Sequence, residues 1–404
     1  MKNIKKILLE LKKIVFIYIC VYIICSVFNF LIEPIIFWID SKTLTLLVNT
    51  NNEITGSGDN FYQYVKFFIV SALSLFLWFF HRFIFSLDER HFYWIILVVR
   101  IYLIYYLSFY GIIKLFGNQF PFPSLLRLTQ PIGDLSPMGL AWTFMGYSKF
   151  YISFTGFTEL IGGVLLINKK TVLLGCLILI SIMSNVFVMN LVYDIPVKLF
   201  SFHLLFMLLA LASLDLKRLY NFFISNENIT SKNLYSPIKD IETYKKVGIF
   251  LKFLFVIILI LFVSLKIFFV TFNDSKKLPI YGIYEVNSVV KNNDSIPLSL
   301  KDEELWRYII FEKNGYASIR FVNNKSKTFV IKYDDSSNFL FLENKKLTFS
   351  NKFKFKFNEN KNLLFITGVF NKDSLKMEFA KKNLEDFNLI NTEFRWISDS
   401  PRNN

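Results

Sequence analysis

Residues 92–116 read FYWIILVVRIYLIYYLSFYGIIKLF, an apolar run of 25 residues that is interrupted by two cations, Arg100 and Lys114. A helix needs about 20 such residues to cross the hydrocarbon of a bilayer, so this run is long enough to span a membrane. An ionisable side chain in hydrocarbon costs at least ~2.5–3.5 kcal/mol, and it therefore normally faces the interior of a helix bundle, where it has a partner. The run predicts a membrane-spanning helix in a bundle that contains a polar centre.

Further apolar stretches of similar length predict an all-α polytopic membrane bundle with about seven transmembrane helices. Hydrophobic residues make up 53% of the 404 residues and the chain contains 48 Phe, which is more apolar surface than a water-soluble fold of this size buries. The predicted spans are 14–37, 62–85, 92–116, 146–167, 171–192, 197–214 and 248–271.

The basic residues indicate the orientation of this bundle. If the N-terminus is cytoplasmic, the inner connections carry 15 Lys and Arg and the outer ones carry 4, as the positive-inside rule requires. Seven spans then place the C-terminus outside, so we expect a multi-pass protein of the bacterial inner membrane with a periplasmic C-terminal domain. The formal charge of +15 flanks the spans instead of forming a basic groove, so the lipid bilayer is the predicted partner and nucleic acid is not.

The chain divides into five predicted segments. Two N-terminal transmembrane helices precede a four-helix membrane core, a polar cytoplasmic linker, a seventh transmembrane helix and a periplasmic β domain. Their bounds are 1–91, 92–214, 215–247, 248–271 and 280–397.

The β domain is predicted from a change of period. Apolar and polar residues alternate through segments such as 353–357 (FKFKF), and this period of two is typical of half-buried antiparallel strands. Turn residues recur every 8–12 positions, with Asn314-Gly315 the strongest hairpin signal. About eight short strands predict a small barrel or a sandwich. The triplet Gly282-Ile283-Tyr284 is similar to the opening of lipocalin-like barrels.

One pair of polar residues in the spans is predicted to meet, and a second pair is placed at a similar depth. Arg100 and Glu159 each lie 8 residues from the inner end of their predicted span, a depth of ~12 Å. Because the two spans are sequential and antiparallel, we expect an ion pair between them. His203 and Asn185 are placed near the middle of the membrane, where they would share a layer; His203 is interpreted as either a satisfied core residue or a ligand.

Lys114 lies near the outer end of its span and leaves two alternatives open. Its side chain either extends to the interface, as long cationic side chains do near helix ends, or pairs with Asp134 or Asp194. The outer connection 116–145 is likewise either a lid over the bundle or a plain interfacial connection.

Three glycines, Gly156, Gly162 and Gly163, accompany Glu159 on the fourth span and predict close helix packing. No nucleotide-binding loop, thiol pair, zinc motif or nucleophile motif is present in the sequence. Haem held by two buried histidines lacks its second histidine, so neither haem nor another metal is predicted. The β domain contains no His or Cys, and no catalytic triad is predicted there.

Several motifs in residues 92–214 occur in an order that is characteristic of one family. They are Arg100 early in the first core span, GIIK at 111–114, GFTELIGG at 156–163, NKKT at 168–171, YDIPVK at 193–198 and His203. Together they resemble the DoxX family of small four-span membrane proteins, and the whole layout is similar to DoxX-type proteins of Bacteroidetes with an extra C-terminal domain. The resemblance implies a link to the oxidation of sulfur compounds with quinone as electron acceptor, and it makes Arg100, Lys114 and Glu159 candidate site residues.

Two functions remain as expectations. In the first, the core binds a quinone-like or lipophilic molecule beside Arg100, Glu159 and His203, as a quinone-linked oxidoreductase would. In the second, the chain is a non-catalytic membrane anchor or assembly protein, and its periplasmic β domain binds a protein partner or a lipid. Transport is disfavoured, because the sequence shows neither inverted repeats nor broken helices.

Overall fold

The computed structural model describes two compact units, each with its own packing. The first comprises Met1–Phe120 with Lys149–Leu265, and the second comprises Pro121–Ser148 with Lys266–Asn404. The described residues are 2–29, 58–84, 89–228, 257, 261, 265, 280–297, 305–313, 315–334, 339–343, 350–370, 373–392 and 396–397.

The N-terminal half of the chain is helical. Nine α-helices lie among the described residues up to residue 228, and a short π-helix, Asn221–Ser225, follows the last of them. They are α1 (Lys2–Val27), α2 (Phe61–Ile84), α3 (Glu89–Leu115), α4 (Leu125–Leu128), α5 (Pro137–Tyr147), α6 (Lys149–Leu165), α7 (Val172–Val192), α8 (Lys198–Ser213) and α9 (Leu216–Tyr220).

Among the described residues, three helices are long and apolar enough to cross a membrane, which corrects the predicted count of seven spans. They are Phe61–His81 in α2, His91–Leu115 in α3 and Val172–Val192, which is α7. A fourth is obtained if α8 and the chain Leu216–Ser225, bent by 74° from it, form one broken span.

The remaining predicted spans fall short for different reasons. Helix α1 begins in a polar segment that includes Glu10, Lys12 and Lys13. Helix α6 has only 17 residues, about the lower limit for crossing the hydrocarbon. The predicted seventh span, 248–271, lies outside the described residues except for 257, 261 and 265, and most of the predicted linker 215–247 lies outside them as well.

The first unit is held together by an apolar core between helices. Side chains such as Leu103 and Leu107 of α3, Leu179 of α7 and Leu208 of α8 are fully buried in one cluster. Burial of a Leu side chain stabilises the packed state by about 1.5–3 kcal/mol relative to water, but hydrocarbon is itself apolar. Within a bilayer, close packing and polar contacts between helices therefore decide which helices associate.

The C-terminal domain is a closed antiparallel barrel, so the barrel alternative of the prediction is confirmed. Eight strands close the barrel: they are neighbours in the order of the sequence, and the first also pairs with the last. A short ninth strand, Asp294–Ile296, lies outside this order and extends the barrel as a hairpin on the first strand. The strands are β1 (Gly282–Lys291), β2 (Asp294–Ile296), β3 (Trp306–Phe311), β4 (Tyr316–Phe321), β5 (Ser326–Asp334), β6 (Phe339–Glu343), β7 (Ser350–Asn358), β8 (Leu363–Phe370) and β9 (Asp373–Lys381).

Alternation along the strands separates the barrel interior from its outside. On β7, Phe353 and Phe355 are buried inside, whereas Lys354 and Lys356 are exposed. The strands β3 and β4 depart from this pattern, because both of their faces are buried.

Residues 121–148 explain the second buried face. Leu125 of α4 packs on the outer face of the barrel against Ile283 of β1 and Tyr308 and Ile310 of β3. The backbone N–H of Leu126 donates to a carboxylate oxygen of Glu312 at 3.0 Å. The loop that was predicted as a lid or an interfacial connection therefore belongs to the barrel domain, and it covers part of the barrel wall.

Candidate functional site

The clearest polar contact in the first unit joins Lys114 of α3 to Glu159 of α6. Lys114 Nζ donates to Glu159 Oε1, and the two side chains are only 7% and 2% exposed. Glu159 Oε2 has no hydrogen-bond partner among the described residues. Lys114 therefore neither extends to the interface nor pairs with Asp134 or Asp194, and Asp194 instead binds Lys198 at 2.8 Å.

Two glycines allow this ion pair to form. A Cβ on Gly156 would lie 2.5 Å from the carbonyl oxygen of Gly111, and a Cβ on Gly111 would lie 2.8 Å from that of Gly156. The backbones of α3 and α6 therefore touch at this level. Side chains of a helix lean towards its N-terminus, so in two antiparallel helices Lys114 and Glu159 lean towards each other.

The other two predicted glycines also lie at helix contacts. A Cβ on Gly163 would meet Ser108 Oγ on α3 at 2.8 Å, and one on Gly162 would meet Leu179 on α7 at 2.5 Å. Helix α6 thus uses small residues on two faces to approach two neighbours, as membrane helices commonly do.

Arg100 is not paired with Glu159, and that prediction was wrong. Its Nε and Nη2 donate to the carbonyl oxygen of Leu166 at 2.9 and 2.6 Å, and Nη2 also donates to that of Ile167 at 2.6 Å. These carbonyls follow the last turn of α6, where they have no partner within the helix. A cation at the C-terminal end of a helix is also favoured by the helix dipole.

The error lay in the assumed alignment of the helix ends. The prediction placed Phe92 and Ile167 at the same height, whereas the contacts place Gly111 beside Gly156 and Leu160, and Arg100 near Leu166. Arg100 precedes Gly111 by 11 residues, which is ~16 Å along the helix. The carboxylate of Glu159 therefore lies near Lys114, the other cation of α3, and α3 continues past the inner end of α6.

His203 of α8 is enclosed by aromatic side chains and hydrogen bonds. Nδ1 lies 2.6 Å from the carbonyl oxygen of Leu199 and Nε2 lies 2.7 Å from the hydroxyl of Tyr18. A carbonyl accepts only, so Nδ1 carries a proton, and the Tyr18 hydroxyl is positioned to donate to Nε2 of a neutral imidazole. The ring of Tyr22 stacks on the imidazole with centroids 3.8 Å apart.

Tyrosine rings extend this aromatic cluster from α1 to α3. The rings of Tyr22 and Tyr102 meet edge to face with centroids 6.5 Å apart, and the rings of Tyr102 and Tyr106 are tilted against each other at 4.6 Å. The prediction did not select these residues. A signal was present, because Tyr18 and Tyr22 on α1 and Tyr102 and Tyr106 on α3 are each four residues apart and so share a helix face.

Asn185 does not contact His203, and the layer that the two residues would share stays a prediction. Its side chain is exposed on α7. Asn190, one and a half turns further along the same helix, is buried and donates to Ser201 Oγ of α8 at 3.0 Å. A difference of five residues on a helix changes the face, and apolar residues surround both positions, so their neighbours alone did not identify the buried one.

A second site lies in the other unit, at one end of the barrel. A cavity of about 450 Å³ opens between the ends of β1, β3, β4, β5, β8 and β9, with β2 at its edge. The opposite end, where the chain enters at Ile280, is filled by side chains such as Tyr284 and Phe311. Burial raises the pKa of the Tyr284 hydroxyl.

The cavity has an apolar floor and a charged rim. Trp306, Phe370 and Met377 are among the buried side chains that line it. At the rim, Lys291 Nζ lies 2.8 Å from Asp373. Hydrogen bonds from Lys291 and Asn292 lower the pKa of the Asp373 carboxyl, which is therefore ionised at neutral pH. Lys325 and Lys327 complete the basic rim and are exposed.

Arg320 is a buried cation on the outer face of β4. It is 2% exposed, and its Nη1 donates to Thr129 Oγ1 at 3.3 Å. Thr129 belongs to residues 121–148, called here the covering segment because they cover part of the barrel wall. Burial lowers the pKa of its guanidinium, while the charge of Asp134 opposes that shift. The contact ties residues 121–148 to the barrel.

In the part of the chain that the structure describes, no three His, Cys, Asp or Glu side chains are grouped so that they could hold a metal ion.

Comparison with known proteins finds similarity in sequence but no matching structure. No protein-family model matches the chain, and no solved structure matches it. YwoB of Bacillus subtilis (strain 168), described as uncharacterized, is 33% identical over 126 residues, which are 31% of this chain and 79% of that protein.

Proposed function

The chain belongs to the same family as Bacillus subtilis YwoB, and we propose that it is a membrane-anchored binding protein whose β-barrel holds a small ligand at its open end. The cavity of about 450 Å³ at the barrel mouth carries this proposal. Small-molecule sites have volumes of about 300–1,000 Å³ and combine mostly apolar walls with a few polar groups. The barrel mouth has a volume in this range, and buried apolar side chains line it below a polar rim.

The polar groups of the helical unit support an anchoring role. Arg100 binds the last carbonyls of α6, and the two ring nitrogens of His203 both have partners. Lys114 and Glu159 join α3 to α6. Each of these groups stabilises helix packing, so the proposal requires no chemistry from them.

We also propose the inner-membrane orientation with a cytoplasmic N-terminus and a periplasmic barrel. Residues 121–148, between α3 and α6, pack on the barrel, which supports a common side of the membrane for both. The chain from Lys149 to Ile280 then crosses an even number of times. Helices α6, α7 and α8 account for three crossings if each spans, and a crossing at the predicted span 248–271 completes the set.

The binding role is tested on the full-length protein in lipid nanodiscs. Leu375 lines the cavity, so Leu375→Trp fills it, whereas Val369→Trp adds the same side chain at a position on β8 that is 53% exposed. Molecules that co-purify with each variant are identified by mass spectrometry. Both variants must elute and melt like the wild-type protein. We expect a bound molecule to be lost from Leu375→Trp and kept by Val369→Trp; equal retention by both variants contradicts the proposal.

A second candidate is a quinone-like ligand in the helical unit, as the DoxX resemblance implies. The observation that favours it is the buried Glu159 Oε2, which lacks a hydrogen-bond partner among the described residues. Such an oxygen is costly unless something binds it. A carboxylate oxygen accepts hydrogen bonds, so the hydroxyl of a ligand such as a quinol would satisfy it.

Purified protein with and without Glu159→Gln is assayed for bound quinone and for quinone reduction. The amide keeps the shape of the carboxylate and removes its charge. Loss of bound quinone with unchanged folding supports the second candidate. Absence of quinone and of turnover in the wild type discards it and leaves the binding-protein proposal intact.

A further inference from the structure

We propose that the barrel mouth binds an anionic amphiphile with a single hydrocarbon chain, of the fatty-acid type. The proposal rests on the proposed function, because it names the ligand class of the same cavity. Three properties of the cavity carry it: the chemistry of its floor, the charge of its rim and its volume.

The floor of the cavity accepts hydrocarbon. Trp306, Phe370, Leu375 and Met377 lie there, and all are buried. The edge of the Trp306 ring contacts Phe370 with centroids 5.1 Å apart, so the aromatic wall is packed before any ligand enters. A ligand with hydroxyls at this depth would lose hydrogen bonds to water without replacement, which is unfavourable. An alkyl chain loses none, and its burial is favourable.

The rim selects a negative head group. Lys291 and Asp373 neutralise each other, which leaves an excess of two positive charges from Lys325, on the turn between β4 and β5, and Lys327, at the start of β5. Among the described residues neither of these two lysines has an ion-pair partner. Asn323, on the same turn, also lines the rim and offers an amide donor. A carboxylate at this height would accept from both kinds of donor, and a cationic head group would be repelled.

The volume favours one chain over two. About 450 Å³ lies in the lower half of the range for small-molecule sites. The cavity is also bounded by a barrel of eight strands, whose interior is just wide enough to be filled by side chains or to hold one small ligand. The far end is occupied by Tyr284, Phe311 and Phe357, so a ligand cannot pass through the barrel.

The probe is a photoreactive palmitic acid that carries a diazirine on its chain, added to the full-length protein in nanodiscs. Peptides with adducts are identified by mass spectrometry. We expect adducts on the strands that line the cavity, especially β3 and β9, and we expect palmitate to compete for them. Hexadecanol, which has the same chain without the charge, should compete about ten-fold less well, because it lacks the attraction to the rim lysines. A tenfold change corresponds to about 1.4 kcal/mol.

Matched variants separate charge from fold. Lys325→Gln with Lys327→Gln removes the rim charge and should lower labelling of the barrel by about three- to ten-fold, the range for two exposed charge contacts. Lys354→Gln with Lys356→Gln removes two exposed charges from the outer face of β7 and should leave labelling unchanged. Both double variants are required to melt like the wild type.

Each contrary outcome has its own meaning. Equal competition by hexadecanol, or equal labelling of the Lys325/Lys327 variant, overturns the anionic class. Equal labelling by a photoreactive two-chain phospholipid overturns the single chain. Adducts confined to the helices overturn the fatty-acid proposal. The binding role of the barrel survives that result if another co-purifying molecule is lost from Leu375→Trp, and it is overturned as well if no molecule is lost.

Discussion

At the scale of single residues, the two cations of α3 have different partners. Lys114 neutralises Glu159, whereas Arg100 binds backbone carbonyls of Leu166 and Ile167. Guanidinium carries five donors in a fixed fork and no acceptor, so it is suited to several carbonyls at once. A single ammonium is suited to one carboxylate. Both arrangements remove an unpaired charge from an apolar environment.

Loss of one member of the Lys114–Glu159 pair is expected to be severe. Glu159→Leu leaves Lys114 buried and unpaired, which costs about 3–5 kcal/mol in comparable buried pairs. The double variant Glu159→Leu with Lys114→Met should recover most of this stability, because it removes both charges. Thermal unfolding in detergent measures the difference.

A matched control is the exposed pair of Lys198 and Asp194. Asp194 is 84% exposed and has a positive φ of 51°, which Asn also tolerates. Asp194→Asn should therefore change stability by less than about 1 kcal/mol. If Glu159→Leu proves as mild as this control, the ion pair does not hold α3 and α6 together.

Arg100 gives a second test at this scale. Arg100→Leu removes three hydrogen bonds to the end of α6, and charged hydrogen bonds contribute about 1.5–3 kcal/mol each when their loss strands a buried partner. Arg100→Lys keeps the charge at the helix end and should recover part of the loss. Unfolding midpoints that are equal for the two variants would refute the carbonyl-binding role.

At the scale of elements, the contact between α3 and α6 depends on glycine. Gly156→Ala places a Cβ 2.5 Å from a backbone oxygen of α3, so one helix must move. Overpacking of this kind costs about 1–3 kcal/mol, and the shift also separates Lys114 from Glu159. Gly133→Ala is the control, because a Cβ there meets no atom within 4 Å. Melting temperature in detergent distinguishes the two, and equal values would argue against the contact.

The covering segment and the barrel wall form one further element contact. Leu125 is 4% exposed and packs on Ile283, Tyr308 and Ile310, so Leu125→Ala should cost about 2–5 kcal/mol. Hydrogen exchange of the amides in β1 and β3 should accelerate. Ile132→Ala serves for comparison because Ile132 is 77% exposed, and it should leave the exchange of the β1 and β3 amides unchanged. If exchange of these amides is unaltered in both variants, the covering segment does not pack on the barrel.

At the scale of the whole molecule, the topology is tested by cysteine labelling in cells. The native Cys20, Cys25 and Cys176 are first replaced by Ser. Single cysteines at Ile132, Lys376 and Lys217, all exposed, are then exposed to a membrane-impermeant thiol reagent. Positions 132 and 376 should react from the periplasmic side, and position 217 should react only after the inner membrane is opened. Labelling of 132 and 376 from opposite sides would contradict the shared side of loop and barrel.

Much of the architecture follows from the sequence by itself. The thickness of the bilayer's hydrocarbon explains the length of apolar runs such as 92–116, and the geometry of a strand explains the period-two alternation of 353–357. Both patterns depend only on spacing along the chain. The presence of a polar centre also followed, since Arg100, Lys114 and Glu159 interrupt apolar runs. The small residues Gly156 and Gly163 marked the helix face that approaches α3.

Only the tertiary structure decided which of these groups meet. The relative height of α3 and α6 is set by the contact of Gly111 with Gly156, and no pattern within either helix contains that height. Because of this relative height, Glu159 pairs with Lys114, and Arg100 binds the carbonyls of Leu166 and Ile167. Closure of the barrel likewise depends on the pairing of β1 with β9, between strands that are distant in sequence. The cavity at the barrel mouth exists because of that closure, so it was not available from the sequence.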